Sequence, residues 1–460
     1  MERRVEKPDT AGAVGVGQRV QGAQRRYLEA SASDPRAVLG TLGSTRIPLY
    51  GDEFPNPGFN HDSPRQDLTL RLQISTVILY EQLQHQDRGH GRDRSLSTSC
   101  GRWAERLDKL IANPCTMAML GYGGHYMQLV LPNDPFPDDL RGSVVAIGNF
   151  DGLHRGHQML LAAARAEAKA RRSKWGLVTF EPHPRNFFRP RELIFPLTPL
   201  PLKARLAGAL GADFVLALAF DARLAAMEPD AFVSEVLAGR LGIAHVITGY
   251  DFHFGHGRKG GPETMQRLGR SLGFGATIVE QVTDDSGIAP FSSSSIRDAL
   301  RHGHLREAAL ELGYWWMIEG EVVRGDQRGR TIGFPTINIV LEKGAEPAQG
   351  IYAVRVRDVA APPGISWHGA GYFGRRPTFD TARLYAEAFL FDFDGDLYGR
   401  TLTVSFMDFI RVDRRFDTID DLITQMNADC DEARLRLDAI AASNPVVQFP
   451  LGKLQSQGLL

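Results

Sequence analysis

Apolar and polar positions change their rhythm along this chain. Up to residue 126 apolar positions are irregular, with one sustained apolar segment from Leu68 to Leu83. The stretch from Gln84 to Arg94 follows neither a helical nor a strand period and reads as disordered. From Met127 to Leu312 the texture differs. Strand-like runs (Val144–Phe150, Leu177–Phe180, Phe214–Phe220, His245–Gly249, Ala276–Val282) alternate with helical ones (Met159–Arg171, Leu202–Leu210, Ala231–Leu241). Alternation of this kind predicts a doubly wound parallel sheet with helices on both faces, an α/β domain. After Gly313 strand signals follow one another without helices between them: Met317–Val323, Ile351–Val356, Arg383–Phe391 and Thr401–Asp408. Turns rich in Gly, Asp and Pro separate them, which predicts an antiparallel β-barrel. One amphipathic helix, roughly Thr418 to Ala441, closes it. The expected division is a low-order extension over 1–126, an α/β domain over 127–312, a β domain over 313–445 and a tail over 446–460. No internal repeat is found.

Composition narrows the class without changing this picture. A hydrophobic content of 43% and a charged content of 23% are those of a globular protein. The formal net charge of −1 gives no general attraction to nucleic acid or to an anionic membrane, so any anion site must be local. The three cysteines, Cys100, Cys115 and Cys430, form no CxxC pair, which argues against a disulfide framework or a zinc cluster. No apolar run is long enough to span a bilayer, and the first residues lack the apolar core of a secretory signal. A cytoplasmic location is expected.

Candidate chemistry concentrates at Gly148-Asn149-Phe150-Asp151-Gly152-Leu153-His154-Arg155-Gly156-His157-Gln158. An apolar run precedes it and a helical pattern follows, so the block is a strand, a tight turn and a helix start. Glycine lets backbone approach a phosphate, and a helix N-terminus offers unpaired N–H groups. The two imidazoles can donate to a polyphosphate. Zinc is a poor alternative for His154 and His157, with no third ligand apparent nearby. Thr179-Phe180-Glu181-Pro182-His183-Pro184 and Thr248-Gly249-Tyr250-Asp251-Phe252-His253-Phe254-Gly255 each end a strand, where open α/β sheets bind ligands. Ser292-Ser293-Ser294-Ser295-Ile296-Arg297 opens a helix. Its hydroxyls suit a departing polyphosphate, with Arg297 adding charge, although by residue type alone the run reads as a polar loop with a helix N-cap. Arg258 and Lys259 read equally as a solvated loop or as phosphate ligands.

In this order the blocks resemble the bacterial bifunctional riboflavin kinase/FAD synthetases, from about Arg141 to about Ala441. The first block matches that family's HxGH nucleotidyltransferase motif, and the three others follow in family order. In the β domain, Gly329-Arg330-Thr331-Ile332-Gly333-Phe334-Pro335-Thr336-Ile337-Asn338 matches the flavokinase block with its PTxN element. Pro347–Tyr352, Arg376-Pro377-Thr378-Phe379, and Glu387 with Asp392–Gly399 match further blocks. Four positions depart from the family pattern. Ser294 stands where threonine is usual, Tyr372 where asparagine is common, Phe389 where histidine is common and Asp413 where glutamate is usual.

The resemblance implies phosphorylation of riboflavin to FMN by ATP, then adenylylation of FMN by a second ATP to give FAD and pyrophosphate. It implies catalytic roles for His154, His157, Arg297 and Glu387, and nucleotide binding by Gly148, Asn149, Phe150, Asp151, Gly156, Ser293, Ser294, Gly333 and Pro335. Asp251 is assigned to nucleotide binding as well. Thr336 and Asn338 are expected to help hold Mg²⁺. The expected partners are riboflavin, FMN and ATP, with no nucleic acid, no membrane and no identified protein partner. The alternatives are an FAD synthetase with a weakened kinase, another HxGH nucleotidyltransferase, or a non-catalytic flavin-binding protein. Met117, Met119 and Met127 each offer a start that gives ordinary family length, and removing residues 1–126 is expected to change stability little.

Overall fold

A computed structural model describes residues 118–122, 125–283, 290–325, 328–341, 347–375 and 384–460. These lie in one compact unit. The expectations of disorder for 1–117 and of a family block at 376–379 lie outside the described residues.

The first sheet has seven strands: β1 (Ala118–Tyr122), β2 (His125–Val130), β3 (Val144–Ile147), β4 (Trp175–Glu181), β5 (Phe214–Ala219), β6 (His245–Gly249) and β7 (Gly275–Val279). Their order is β1-β2-β5-β4-β3-β6-β7; β1 pairs antiparallel with β2 and all other pairs are parallel. From β3 the chain builds outward first through β4 and β5, then on the other side through β6 and β7. The crevice at the carboxyl ends of β3 and β6 is therefore a topological switch point, where such sheets bind ligands. Helix α1 (Arg155–Arg171) leaves the β3 turn and buries Leu161, Ala164 and Ala168 against the core, the three- and four-residue spacing of one helix face. Helix α2 (Leu200–Ala209) is buried almost all round, including Lys203 and Arg205. Helices α3 (Ser293–Arg301) and α4 (Leu305–Leu312) lead out of this layer.

The second sheet is antiparallel throughout, in the order β8-β13-β10-β11-β12-β9, with β8 (Met317–Glu321), β9 (Thr336–Leu341), β10 (Gly350–Asp358), β11 (Trp367–Arg375), β12 (Leu384–Leu390) and β13 (Thr401–Val412). A bridge between Val322 and Ile339, with Val323 N donating to Asn338 O at 2.9 Å, closes it toward a barrel. Helix α5 (Ile419–Ala442) lies against this sheet. Thr418 caps it by accepting from Asp421 N at 3.1 Å, and Asp429, Ala433 and Leu437 form its buried stripe.

Three expectations need correction. The α/β sheet does not begin at Met127 but at Ala118, because β1 and the start of β2 add to its edge. β9 and β11 are strands that the hydrophobic pattern did not reveal, β11 because glycine at 369, 371 and 374 interrupts its alternation. Residues 446–460 are not a tail. They form helix α6 (Pro450–Ser456) and bury Val446, Leu451, Gln455 and Leu460.

The first correction changes what truncation should do. A chain starting at Met127 would lose β1 and place a charged α-amino group at a residue with 0% exposure. Its melting midpoint is expected about 5 °C or more below that of a chain starting at Met117. Equal midpoints in thermal unfolding would show that β1 contributes nothing.

Candidate active sites

The turn after β3 holds an unusual backbone. Phe150, Gly152 and Leu153 all have positive φ, at 47°, 84° and 40°. Two of the three are not glycine, and such strain persists only where surrounding contacts over-determine it. Those contacts are on hand. Thr198 Oγ1 accepts from Gly152 N at 2.8 Å, Tyr314 donates its hydroxyl to Gly152 O at 2.8 Å, and Lys203 Nζ donates to Asn149 O at 2.8 Å. Phe150 is fully buried, edge-on to His157 with ring centroids 5.3 Å apart.

This turn delivers the two histidines to the start of α1. His154 is the N-cap, and its Nδ1 accepts from His157 N at 3.3 Å. Accepting there places the proton of the neutral ring on Nε2. The two rings stack with centroids 3.6 Å apart. Burial pushes the His154 pKa down to about 4, against a smaller opposing pull from Asp151. His157 is held well below the ordinary value by burial, then by His154 and Lys203. Both imidazoles are therefore neutral at pH 7 and act as donors rather than as cations. Adding a Cβ at Gly156 would bring it within 3.2 Å of the His154 ring, so glycine there lets the imidazole lie flat over the helix start.

The histidines give a stability signature. The folded His154 holds its proton less well than in the unfolded chain, where the value is 6.5. Its stabilising contribution is fully present above pH 6.5 and is lost as pH falls towards 4. Denaturant unfolding at pH 7 and pH 5 should differ by about 2 kcal/mol from this residue, and His154→Gln should flatten that slope. An unchanged slope would mean that the folded imidazole titrates normally.

The serine block meets the same turn. Ser292 caps α3, accepting from Ser295 N at 3.0 Å, and Ser293 donates its hydroxyl to Asp151 O at 2.8 Å. Ser294 is exposed at the helix N-terminus. Arg297 and Asp151, expected to face the nucleotide, are instead 7% and 3% exposed and form an ion pair with each other. Arg297 also donates to Phe195 O at 2.9 Å and Ser293 O at 3.1 Å, and Asp151 Oδ1 accepts from Thr198 N at 3.0 Å. The pair ties α3 to the β3 turn. Gly148 and Asn149 sit between β3 and this pair. Asp251 is exposed in the turn after β6, on the far side of the switch-point crevice from the β3 turn.

Sequence reasoning missed Lys203, Thr198 and Tyr314. A lysine in an apolar helical run is usually exposed by snorkelling, so nothing local marks Lys203 as buried.

The second cluster lies on one face of the barrel sheet. Directly opposed residues of antiparallel strands share a face. Glu387 on β12 stands opposite Asn338 on β9 and Tyr372 on β11, and Phe389 stands opposite Thr336. Thr336, Asn338, Glu387, Phe389 and Tyr372 therefore point one way, while the neighbours Ala386 and Ala388 are buried on the other. Gly333, with φ of 89°, turns the chain into Phe334, Pro335 and β9. Three of the four departures from family pattern sit here: Phe389 packs edge-on to Phe334 at 5.1 Å, and Tyr372 donates to Asp413 Oδ2 at 3.2 Å.

Two family models match, FAD synthetase over residues 136–294 and riboflavin kinase over residues 312–437. The bifunctional riboflavin kinase/FMN adenylyltransferase of Escherichia coli strain K12 is 38% identical over 288 residues, covering 63% of this chain and 90% of that protein. Its namesake from Pseudomonas fluorescens is 39% identical over 309 residues, 67% of this chain and 97% of that protein. The one from Bacillus subtilis is 34% identical over 312 residues, 66% and 95% respectively. A crystal structure named as a macrolide-efflux protein from Streptococcus pneumoniae shares the fold at a TM-score of 0.58 and 29% identity, over 66% of this chain and 98% of that one. Among the described residues no helix is long and apolar enough to cross a membrane. With both domain models matched in order and relatives covered over nearly their whole length, the chain belongs to the bifunctional riboflavin kinase/FMN adenylyltransferase family.

Proposed function

We propose that this family's two reactions run at the two clusters separately: FMN adenylylation at the switch point of the parallel sheet, riboflavin phosphorylation on the Glu387 face of the barrel. The carrying observation is the stacked, neutral His154–His157 pair on a strained turn at a helix N-terminus, remote in sequence from Glu387 and its cross-strand partners. The adenylyltransferase module then runs from Ala118 to Leu312, and the kinase module from Gly313 onward.

At the first site an FMN phosphate oxygen attacks the α-phosphorus of ATP, and the bond to the leaving pyrophosphate breaks. The nucleophile is already an anion, so no general base is required. His154 donates from Nε2 to the charge developing on the transferred group, with His157 stacked beneath it. Gly148, Asn149, Phe150 and Gly156 shape the backbone that approaches the nucleotide, and Ser294 with the α3 N–H groups receives the leaving phosphates. Asp151, Ser293 and Arg297 act by positioning, each holding the turn to α3. Asp251 stands across the crevice for the nucleoside.

At the second site the 5′-hydroxyl of riboflavin attacks the γ-phosphorus of ATP and ADP leaves. Glu387 orients that hydroxyl and accepts its proton. Gly333 and Pro335 set the turn that cradles the nucleotide. Thr336 and Asn338 offer hard neutral oxygens on the Glu387 face and would help hold Mg²⁺. The ion would supply charge neutralisation there. A cytoplasmic location completes the reading.

A second reading keeps FAD synthesis but weakens the kinase, since Glu387 shares its face with Tyr372, which is hydrogen-bonded to Asp413, and with Phe389, which packs on Phe334. Supplying riboflavin or FMN with ATP separates the possibilities. One FAD and one pyrophosphate per FMN, and one FMN and one ADP per riboflavin, are expected. FAD formation with riboflavin left untouched would support the weakened kinase, and neither product would remove both assignments.

A further inference from the structure

We propose that the C-terminal segment 446–460, which lies beyond the riboflavin kinase match, is a positioning element of the FMN adenylyltransferase and acts through Phe449. The segment is anchored on the kinase side. The Gln455 side chain accepts from Trp315 N at 2.8 Å and donates to Trp315 O at 2.9 Å and Ser405 Oγ at 3.0 Å. Arg357 Nε donates to Gly458 O at 2.8 Å, and Leu451 and Leu460 are buried. Its near end reaches the other module. The guanidinium of Arg155 lies 4.3 Å from the centroid of the Phe449 ring and 4.7 Å from that of Phe291.

Arg155 and these two rings join pieces that the chemistry needs in register. Arg155 stands between His154 and His157 in the sequence, and Phe291 immediately precedes the serine block. A cation over two ring faces is attracted to both and links the elements that carry them. The packing leaves little slack. A Cβ added at Gly313, where φ is +76°, would lie 3.2 Å from Arg155 Cγ and 3.3 Å from Phe449 Cβ. Gln158 braces the same helix turn from the module junction, donating to Leu153 O at 2.9 Å and Leu312 O at 2.7 Å. The kinase end of the chain thus sets where the histidine turn sits relative to the serine helix. Phe449 touches no reacting group, so it is a positioning residue. Small displacements of a reacting geometry by remote changes are costly to turnover.

The inference rests on placing adenylylation at His154 and His157. The test compares full-length protein carrying Phe449→Ala, Phe449→Leu, Phe449→Tyr, Arg155→Met, Arg155→Met with Phe449→Ala, or His157→Ala, with both reactions measured on each sample. Phe449→Ala and Phe449→Leu should lower kcat for FAD formation by about 5- to 20-fold, with KM for FMN and ATP within about twofold. Riboflavin phosphorylation in the same samples should be unchanged, Phe449→Tyr should restore FAD formation, and Phe449→Ala should add no further loss to Arg155→Met. Equal loss of both activities would reduce Phe449 to a general contributor to stability and overturn the proposal. Unchanged FAD formation, with His157→Ala inactive, would overturn the proposal alone. FAD formation surviving in His157→Ala would instead overturn the site assignment beneath it.

Discussion

His157→Ala should lower the conversion of FMN to FAD by two to three orders of magnitude, roughly 3–4 kcal/mol, while riboflavin phosphorylation proceeds at its normal rate. The size follows from what the ring does. It is stacked on His154 with centroids 3.6 Å apart and sits edge-on to Phe150, so its removal frees both the neutral donor and the residue with φ of 47°. His154→Ala should cost about as much, since it deletes the Nε2 donor and the cap of α1 together. The selectivity follows from position. His154 ends the switch-point turn of the parallel sheet and His157 lies in the first turn of α1, and neither belongs to a barrel strand. Steady-state assays of both reactions on the same folded protein check this. Loss of both activities to the same degree would remove the histidines from the adenylyltransferase mechanism.

Glu387→Gln should abolish FMN formation from riboflavin while FAD synthesis from supplied FMN survives. The amide keeps the size of the side chain and its place opposite Asn338 and Tyr372, and removes only the carboxylate's ability to take a proton. A drop of two orders of magnitude or more in kinase kcat is expected. Kinase turnover within a factor of a few of the unaltered protein would show that positioning and charge neutralisation suffice without this carboxylate.

Much of this was legible in the chain because the decisive features are local. Val144–Ile147 followed by a glycine-bearing turn and a helical pattern announces a strand, a loop and a helix start, and the structure has that order. Alternation around Glu387 puts Ala386 and Ala388 on the opposite face, as their burial bears out. The illegible parts depend on partners far away in sequence. Lys203 reaches Asn149 O across 54 residues, and Tyr314 reaches Gly152 O across 162, so no local period signals either contact. Arg297 looks like a free cation until the fold brings it to Asp151, which is 146 residues away. The segment after Pro445 looks like a tail because its burial comes from the module seam and not from an amphipathic pattern of its own. The strand at Ala118 was hidden by the change of texture at Met127, which is a buried position within β2 rather than the domain edge.

The central claim is that one chain carries two separable flavin reactions at two sites. A single time course separating riboflavin, FMN and FAD tests it most directly, starting from riboflavin and ATP with His157→Ala protein and adding Glu387→Gln protein midway. The account predicts that FMN accumulates without FAD in the first phase, well beyond the amount of protein present. The added variant, unable to phosphorylate riboflavin itself, then carries that FMN on to FAD. No FMN in the first phase, or accumulated FMN that the second variant cannot adenylylate, would contradict it.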